Sequence, residues 1–567
     1  MPSKPITIAA IIILSTIFIP SPAKYGNSII HVGGSGDGNY SSIQEAINAA
    51  GNGDTIFVYN DSSPYYEHIL VNKSVRIVGE DKNTTIIDGN GNGTVVNITA
   101  PNVILRNFMV RKSGTDYESS GIECTGYGLI ENNIISMCGN GITLRKASDV
   151  ELRNNKITEC TKCIYILYSS SNIIENNYAK TSFGSVFYMH NSSGNEVKNN
   201  IFFNSAYGSL LRISGNGNLF LNNTIKSNNH IGISMLGNNN IMEENSFINS
   251  GLEYFYDYYH NIFINNTVND KPLVYMENVS NTKIEEGGEI VLVNCENVRI
   301  ENVDIHNTSI GIFLFNSQGC IISSSNISLA ATGIHLFKSS NCSIESSVIY
   351  KNDYAGIEIA PFSRDNEIKN CMIYDNSRGI SMWDDYNAVF SNHIFKNWEG
   401  VELFYGCNNN TIHDNEMDNN TEGITVWQEN SWNNIEGNSI HHNKRGITLS
   451  YECKYNSIIA NEIYENKYGI QLSSSSDGNS IYENNFLKNK VGIWLTSKWN
   501  KISHNNFIGN DVHATFLYGS GEIFHINNWN RNYWGRARFL PKPIFGIRFP
   551  LPWINFDWLP LKFPYEK

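Results

Sequence analysis

The sequence contains no cluster of basic residues. Its 41 Lys and Arg are outnumbered by 54 Asp and Glu, which gives a formal net charge of −13, and the positive charges are scattered. Proteins that bind nucleic acid hold its phosphates with grouped Lys and Arg side chains. We therefore expect no nucleic-acid partner.

Long apolar runs are also absent after the first residues. The one run there extends from Ile6 to Ile19, follows Lys4, and is followed by Pro20 and a small-residue site that ends at Ala23. A helix that rises ~1.5 Å per residue needs about 20 apolar residues to cross a ~30 Å hydrocarbon core. We predict a signal peptide over residues 1–23, with an uncleaved anchor as the alternative. The mature chain is then secreted, periplasmic or at the cell surface, with no membrane span.

A short repeat dominates the sequence, and none of its units contains an uninterrupted helical pattern of useful length. Glycine followed by an aliphatic residue recurs at steps of 21–23 residues, at Gly311, Gly333, Gly356, Gly379, Gly400, Gly423, Gly446, Gly469 and Gly492. The residues after each glycine alternate as in a strand: Ile447 and Leu449 point one way and Thr448 the other. Short strands in units of this length predict an all-β, right-handed parallel β-helix with coils of about 22–23 residues.

Asparagine forms a second column with the same period. The column includes Asn133, Asn155, Asn177, Asn200, Asn223, Asn245, Asn266, Asn302, Ser325, Ser347, Asn370, Asn392, Asn415, Asn438, Asn461, Asn484 and Asn505. Asn side chains tie down backbone groups at bends, and stacked amides hydrogen-bond to one another from coil to coil. We interpret these asparagines as structural.

The pattern also predicts how the chain is divided. Residues 24–115 carry an N-terminal cap and the first coils, with a Ser42–Glu45 capping box that opens a short helix. Coils follow over 116–266 and 302–530, separated by a coil with an insertion over 267–301. Residues 531–567, rich in Pro and aromatic residues, form an irregular C-terminal cap.

The ten cysteines leave their pairing open. Cys138 and Cys160 lie 22 residues apart, as do Cys320 and Cys342, so the repeat places each pair on neighbouring coils, where a disulfide is sterically feasible. The chain is exported on our interpretation, so its cysteines are bridged, free or both. The "CTKC" at 160–163 has no second Cys pair to complete a metal site.

The stretch "GITLSYECKYNSIIANEIYENKYGIQLSSSSDGNSIYENNF" (446–486) resembles the repeats of the NosD-like, periplasmic copper-binding-like family of right-handed β-helices. "VNDKPLVYMENVSN" and "EIVLVNCENVRIENVDI" are similar to an insert of many archaeal surface members, and "SIQEAINAAGNGDTIFVYN" resembles the usual start of such helices. The resemblance covers about residues 29–530 and implies a carbohydrate-associated or metal-accessory exported protein.

The sequence lacks the residues that the family name or a catalytic β-helix requires. Copper sites group Cys, Met and His closely, but here His441–His442 is the one adjacent His pair and Met is scattered. The Gly-His-Gly and Arg-Ile-Lys elements of polygalacturonases and the Asp-Pro-His-Asp element of alginate epimerases do not occur. We predict no copper site and transfer no catalytic residue from these enzymes.

Outward positions of the strands after glycine align into columns. The pattern places Trp383, Phe404 and Trp427 on successive rungs, beside the carboxylates Glu358 and Glu402, with Asp384, Asp385 and Tyr405 just past the strand ends. Aromatic faces next to carboxylates suit sugars, which stack their apolar faces and hydrogen-bond through hydroxyls. We predict a polysaccharide or glycan partner here, with Trp383, Phe404, Tyr405, Trp427 and Asp385 as binding residues.

Other functions of this surface remain open. Glu358 and Glu402 are two rungs apart, ~9.6 Å at ~4.8 Å per rung, near the ~6.5–9.5 Å of inverting glycoside hydrolysis. With Asp384 they are candidate catalytic residues of a hydrolase, lyase or epimerase, or a candidate calcium site. A structural or copper-accessory surface protein is the remaining alternative, in which these residues only solvate the sheet. We expect no obligatory cofactor.

Overall fold

The computed structural model describes residues 28–566, apart from 182–183, 205–209, 229–231, 254–259, 474 and 520–526. The predicted signal peptide lies outside the described residues. In the described part, the chain forms about 21 coils of a β-solenoid with about 23 residues per coil, as the sequence predicted, and one helix, Ile43–Ala49.

Each coil of the N-terminal half contributes to three parallel sheets. The long-strand sheet contains Ile69–Val71, Val96–Ile98, Ser120–Cys124, Asn140–Arg145, Lys162–Leu167, Ser185–His190, Leu211–Ile213 and Ile233–Met235. The second sheet contains Ile29–Val32, Thr55–Val58, Arg76–Gly79, Val103–Arg106, Gly128–Glu131, Val150–Arg153, Ile173–Glu175, Glu196–Lys198, Leu219–Leu221, Ile241–Glu243 and Ile262–Ile264. The third contains Ile86–Asp88, Met109–Arg111, Ile134–Ser136, Lys156–Thr158, Tyr178–Thr181, Ile201–Asn204, Thr224–Ser227, Ser246–Ile248 and Thr267–Val268.

The C-terminal half repeats the arrangement. Its long-strand sheet contains Lys271–Glu277, Glu289–Val293, Ile310–Phe315, Thr332–Phe337, Ala355–Ile359, Arg378–Met382, Glu399–Phe404, Glu422–Trp427, Arg445–Ser450, Tyr468–Leu472, Val491–Leu495 and Val512–Tyr518. The second sheet contains Lys283–Ile284, Arg299–Glu301, Ile321–Ser323, Ser343–Glu345, Glu367–Lys369, Ala388–Phe390, Thr411–His413, Asn434–Glu436, Ser457–Ile459, Ser480–Tyr482, Lys501–Ser503 and Asn528–Asn530. The third contains Asp304–His306, Asn326–Ser328, Val348–Tyr350, Met372–Tyr374, His393–Phe395, Glu416–Asp418, Ser439–His441, Glu462–Tyr464, Asn485–Leu487 and Asn506–Ile508.

The strand alternation predicted from the sequence decides which side chains fill the coil. Ile447 and Leu449 are fully buried, and they stack between Ile424 and Val426 of the preceding coil and the next coil. Thr448 lies between them and belongs to the outer face. The core is thus a column of aliphatic side chains, and burying each one fully contributes roughly 1.5–3 kcal/mol.

Buried asparagines form hydrogen-bonded ladders at the corners. The Asn433 amide nitrogen donates to Asn456 Oδ1 at 3.0 Å and to the Cys407 carbonyl at 2.9 Å, and its oxygen accepts from the Asn410 backbone N–H at 2.8 Å. The same contacts recur along the predicted column from Asn133 to Asn266. The structural role predicted for these asparagines is confirmed.

Two members of the predicted column were assigned one residue too early. Asn302 and Asn370 occupy corner positions with positive φ angles of 59° and 54°. The ladder positions in those coils are Val303 and Cys371, whose backbone N–H groups donate to the next coil. Asn suits both positions, because it tolerates left-handed dihedrals and also offers a buried amide, so the sequence alone did not separate them.

The N-terminal helix covers the open end of the first coils, as predicted. Ile43, Ala46 and Ile47 are buried against the core. The Ser42 hydroxyl accepts from the Glu45 backbone N–H at 3.4 Å, whereas the carboxylate that caps the helix comes from Glu67, which accepts from the Ile43 N–H at 2.9 Å. The cap therefore ties the helix to a later part of the chain.

The C-terminal cap contains regular secondary structure, whereas the sequence predicted an irregular segment. Strands Lys542–Arg548 and Leu551–Asp557 form an antiparallel hairpin that pairs with the last coil. Asp557 is fully buried, and its Oδ2 accepts from the Asn532 backbone N–H at 2.9 Å and from Trp534 Nε1 at 3.0 Å. A carboxylate thus ends the asparagine ladder and satisfies its last donors.

The solenoid changes direction between its halves. Lys271–Glu277 runs antiparallel to Thr267–Val268, and Leu273 pairs with Glu289, 16 residues on, so the extra length of 267–301 forms a short coil. Outward residues of the next strands, including Val291 and Phe313, belong to the core of the N-terminal half. The end of that half therefore packs on the outer face of the first C-terminal coils.

Glu289 holds this junction. Its side chain is fully buried and accepts hydrogen bonds from the Leu252 backbone N–H at 2.8 Å and from the Thr308 hydroxyl. A Cβ atom on Gly251 would meet the Glu289 carboxylate at 1.6 Å, so only glycine allows this approach. Burial raises the pKa of Glu289 to about 8.

Candidate functional site

The outward column predicted from the sequence is present in the C-terminal long-strand sheet. Cα pairing aligns His335, Glu358, Ser381, Glu402 and Thr425 on consecutive rungs. These side chains are nevertheless buried, each with 7% or less of its surface exposed. The face is a network of polar groups rather than an open row of charges.

The two candidate catalytic glutamates already have partners. Glu358 Oε2 lies 2.7 Å from His335 Nδ1, and Glu402 Oε2 lies 2.7 Å from Arg378 Nε. Ser381, on the rung between them, donates its hydroxyl to Glu402 at 3.0 Å. The two-rung separation used for the catalytic hypothesis is thus present, and each carboxylate is part of a pair.

A third carboxylate, which the sequence analysis did not single out, completes this network. Glu399 Oε2 lies 3.5 Å from Arg378 Nε, and Arg378 also stacks over the Tyr354 ring at 4.8 Å. Burial and the adjacent Glu402 carboxylate raise the pKa of Glu399 to about 7. One coil after Glu399, Glu422 pairs with Arg445 and accepts from the Thr448 hydroxyl at 3.0 Å.

Several polar atoms on this face have no hydrogen-bond partner within the described residues. They are Trp383 Nε1, Thr425 Oγ1 and Gln471 Oε1, each with less than 1 Å² of exposed surface. A buried polar atom without a partner costs roughly 1–3 kcal/mol, so such atoms call for water or a ligand. All three lie on or beside the outward columns, and each is two coils from the next.

Asp384 and Asp385 do not join the glutamates. Asp384 is buried in the corner turn, where it accepts from the Ser363 N–H at 3.1 Å and pairs with Arg364 at 2.9 Å. Asp385 accepts from the Asn408 N–H at 2.7 Å in the same turn. Both carboxylates therefore satisfy backbone donors, and Asp384 continues a ladder of serine hydroxyls.

The predicted aromatic residues differ in exposure. Trp383 and Phe404 are half-buried, with ring centroids 4.3 Å apart. Trp427 is 36% exposed, and its ring packs on Tyr451 of the next coil at 4.5 Å. Tyr405 is 54% exposed in the following corner. Trp427 and Tyr405 are thus the open part of the predicted group.

More exposed aromatics occupy the same corner of successive coils, between the long-strand and second sheets. We call the whole set the aromatic edge; it consists of Tyr386, Tyr405, Trp427, Trp432, Tyr451, Tyr455 and Trp499. Trp432 stacks on Tyr455 with centroids 4.9 Å apart. The Tyr455 ring in turn lies over Gly478, where an added Cβ would come within 3.1 Å of it.

The backbone at these corners favours other residues. Tyr386, Trp432, Tyr455 and Trp499 have φ angles of 57–63°, whereas the equivalent corner position is Asn297, Asn341 or Asn409 in other coils. The left-handed region is accessible to Asn and unfavourable for bulky residues. The corner step of 21–23 residues was available in the sequence, so extending the columns into the turn would have found these rings.

Between the rings lies a shallow groove of about 540 Å³. It is lined by Trp427, Gln428, Glu429, Tyr451, Glu452 and Ser475. Its walls thus combine two aromatic faces with amide, carboxylate and hydroxyl groups. Ser475 also lines the neighbouring groove, with Asp477, Lys498 and Phe549.

The family comparison agrees with this architecture. The model of the right-handed β-helix region matches residues 82–225 and 288–439, together more than half of the chain. The chain belongs to the right-handed β-helix family. Within this β-helix protein, residues 403–537 also match the family described as periplasmic copper-binding protein (NosD), as the resemblance in the sequence implied.

The β-helix protein matches solved structures at the level of fold alone. An alginate lyase from Paenibacillus sp. is 13% identical, with a TM-score of 0.30 over 43% of this chain and 88% of its own. DFA-IIIase from Arthrobacter chlorophenolicus is 11% identical, with a TM-score of 0.34 over 47% and 84%. The A-module of a mannuronan C-5 epimerase from Azotobacter vinelandii is 13% identical, with a TM-score of 0.23 over 82% and 93%. No curated protein matches the sequence significantly.

The residues of the NosD-matching segment do not fit a copper ion. His441 and His442 have their Nδ1 atoms 2.9 Å apart and direct Nε2 atoms to Glu416 and Glu465. Throughout the described ranges, no three His, Cys, Asp or Glu side chains are grouped so that they would hold a metal. All ten cysteines are buried and unbridged, and the thiols of Cys138, Cys160, Cys320 and Cys342 each donate to a nearby backbone carbonyl.

Within the part of the chain that the structure describes, no helix has the length and apolar character needed to cross a membrane.

Proposed function

We propose that this β-helix protein binds polysaccharide along the aromatic edge of its C-terminal half, outside the cytoplasm. The observation that carries the proposal is the placement of exposed Trp and Tyr rings at corner positions whose backbone favours Asn. A residue that is unfavourable for the fold is retained most readily where it serves binding. The periplasmic description of the matching family supports the location.

The ring spacing suits an extended sugar chain. Successive coils repeat every ~4.8 Å, so the edge from Tyr386 to Trp499 spans five steps, or ~24 Å. Sugar rings stack their apolar faces on Trp and Tyr, and their hydroxyls hydrogen-bond to groups beside the rings. Gln428 and Ser475 supply such groups in the groove between the rings.

The charge of the edge favours neutral or amino sugars over uronic acids. Glu429 and Glu452 line the central groove, and Asp385 lies at one end. The whole chain has a net charge of −13. The carboxylates of a polyuronate would be repelled by these protein carboxylates. We therefore propose that polyuronates bind more weakly than neutral or basic polysaccharides.

A polysaccharide array tests this proposal. We expect binding of the wild-type protein to neutral or amino-sugar polysaccharides, and a loss of roughly tenfold in affinity for Trp432→Ala/Tyr455→Ala, because two stacking faces are removed. Tyr168→Ala is the matched control, since Tyr168 is 56% exposed, has a φ angle of 50° and lies in the N-terminal half. Absence of binding to every polysaccharide, or equal affinities in all three proteins, contradicts the proposal.

Catalysis at the outward face is a second candidate, favoured by the Glu399–Glu402 pair. A carboxyl group with a pKa of about 7 beside a salt-bridged carboxylate has the properties of an acid–base pair. Incubation with neutral and acidic polysaccharides, followed by mass analysis of the products, tests it. Turnover that is unchanged in Glu402→Gln and Glu358→Gln would place any activity elsewhere, and no turnover in the wild type excludes it for the polysaccharides used.

A further inference from the structure

The outer face of the C-terminal hairpin is entirely apolar. Its inner face packs on the last coil through Ile544 and the buried side chains of Asn555 and Asp557. The cross-strand pairs that face away from the coil are Pro543 with Phe556, Phe545 with Ile554, and Ile547 with Pro552. Phe545 is 62% exposed, and Ile547 and Ile554 are nearly half exposed.

Further exposed apolar residues surround this face. Phe549 and Leu551 form the tip of the hairpin, and the segments beside it expose Phe539, Leu540, Trp558, Leu559 and Phe563, each by at least 60%. Monomeric proteins rarely expose a contiguous apolar patch larger than about 300–600 Å² unless it is an interaction site.

The same segment carries a local positive charge. Arg536, Arg538, Lys542, Arg548 and Lys562 lie within it, and the acidic residues there are the buried Asp557 and Glu566. Burial and the neighbouring Arg538 and Arg536 lower the pKa of Lys542, which shows that the cations share one region. The cations also contact the rings: Arg548 lies 4.9 Å from the centre of Trp553 and Lys562 lies 4.6 Å from that of Phe539.

We propose that this hairpin docks the protein on the surface of an anionic lipid bilayer. Trp, Phe and Leu side chains enter the boundary between head groups and acyl chains, while Arg and Lys bind lipid phosphates. The chain as a whole is acidic, so the basic, apolar end is the part that approaches such a surface. The attachment holds the last coil near the membrane and extends the solenoid away from it.

A second copy of the chain is a less suitable occupant. A symmetric contact between two hairpins would place each cluster of Arg and Lys against the same cluster in the other copy. A head-to-tail contact would place the apolar face on the N-terminal helix, whose outward residues Gln44, Glu45 and Asn48 are polar. Neither arrangement offers an apolar partner together with compensating charge.

An environment-sensitive dye on the hairpin tests the proposal with the full chain. Leu551→Cys, 65% exposed, is labelled with a nitrobenzoxadiazole maleimide; the ten native cysteines are buried, which restricts labelling to the new thiol. The control label is at Asn92→Cys, in an exposed turn of the N-terminal half. Vesicles of phosphatidylcholine alone and of an equimolar mixture with phosphatidylglycerol are added.

We expect a blue shift at residue 551 with the mixed vesicles, little with phosphatidylcholine alone, and none at residue 92 with either. Arg548→Glu and Lys562→Glu in the Leu551→Cys background should each weaken the response roughly fivefold or more, because each basic residue near an anionic surface contributes ~1 kcal/mol. No shift at residue 551 with mixed vesicles overturns the proposal. A shift that appears without lipid as protein concentration rises also overturns it, in favour of a second copy.

Discussion

At the residue scale, asparagine does two different jobs in this solenoid. In the ladders its amide bridges neighbouring coils and satisfies backbone groups at each corner. At the corner positions with positive φ it adopts a backbone conformation that other residues avoid. Asn410 and Asn409 illustrate the difference: Asn410 is fully buried and donates to Asn433 Oδ1 at 3.2 Å, whereas Asn409 is exposed at the corner with a φ angle of 56°.

Replacement of a ladder asparagine should be costly. We predict that Asn433→Ala lowers the free energy of unfolding by about 1–3 kcal/mol, because the donors of Asn410 and the carbonyl of Cys407 lose their buried partner. Urea denaturation measures the change. Asn434→Ala, at the next residue, should change stability by less than about 0.5 kcal/mol. Equal losses in the two variants would mean that the ladder contributes no specific stability.

The sequence predicts ladder residues well where only Asn occurs in the column. It failed at Asn302 and Asn370 because the chain places Val303 and Cys371 at the buried position and retains Asn at the corner before it. It placed Asp384 just past the strand end, where it lies, but did not reveal that this carboxylate accepts a hydrogen bond from the Ser363 backbone N–H in the corner. Periodicity identifies a column, but it does not decide which of two adjacent polar positions points inward.

At the element scale, the strands and the corners of the solenoid differ in what the sequence reveals: the repeat period predicts the strands, whereas the proposed binding residues lie at the corners between the long-strand and second sheets. Both sheets and their alternation follow from the 23-residue period, which is why the strands were predicted from sequence. The aromatic edge lies in the turns, where the pattern of buried side chains gives no information. Its residues are distinguished by chemistry instead: rings stand where the backbone of the other coils selects Asn.

Replacing corner rings with Asn should distinguish a role in stability from a role in polysaccharide binding. We predict that Trp432→Asn/Tyr455→Asn keeps or raises the free energy of unfolding, because relief of left-handed strain, ~1–2 kcal/mol per residue, offsets the lost stacking of ~0.5–1.5 kcal/mol. Binding of polysaccharide should fall as in the alanine variant. Denaturation and affinity are measured on the same protein. A stability loss above about 2 kcal/mol would identify the rings as structural packing.

The junction between the two halves is a second element that the sequence did not reveal. Its contacts join Leu252 and Gly251 to Glu289 and Thr308, which belong to different coils and share no repeat position. The repeat pattern describes contacts between neighbouring coils only. The packing of the end of the N-terminal half on the outer face of the C-terminal coils depends on the three-dimensional shape of both halves. The repeat period of the sequence does not contain that information.

This junction should respond to pH. The folded pKa of Glu289, about 8, lies above that of an exposed glutamate, so the stability that depends on its protonated form is complete below about pH 4 and is lost as pH rises through about 8. We predict that Glu289→Gln, which stays neutral, removes this part of the pH dependence. Urea midpoints measured between about pH 5 and about pH 9 should fall less steeply in the variant.

Glu277→Gln provides the comparison for this pH series, because Glu277 lies on a strand of the same junction but is partly exposed. The wild type and Glu277→Gln should show the same decline toward high pH. A decline in Glu289→Gln that matches the wild type would mean that another group controls the junction.

At the scale of the whole molecule, three regions stand out: the junction between the halves, the aromatic edge and the C-terminal hairpin. The N-terminal half packs on the outer face of the first C-terminal coils. The aromatic edge runs along one corner of the C-terminal half, and the basic, apolar hairpin covers its end. Sequence alone predicted the solenoid and the positions of its caps, because both follow from period and composition.

The central claim is that the aromatic edge binds an extended sugar chain over several coils. Calorimetric titration with size-fractionated oligosaccharides of the polysaccharide that binds most strongly on the array measures this directly. Affinity should rise with chain length until the oligosaccharide spans the ~24 Å of the edge and then level off. Tyr386→Ala and Trp499→Ala, at the two ends, should reduce affinity for long oligosaccharides and leave short ones unchanged. Affinity that is independent of length, or unaffected by both end variants, would contradict the account.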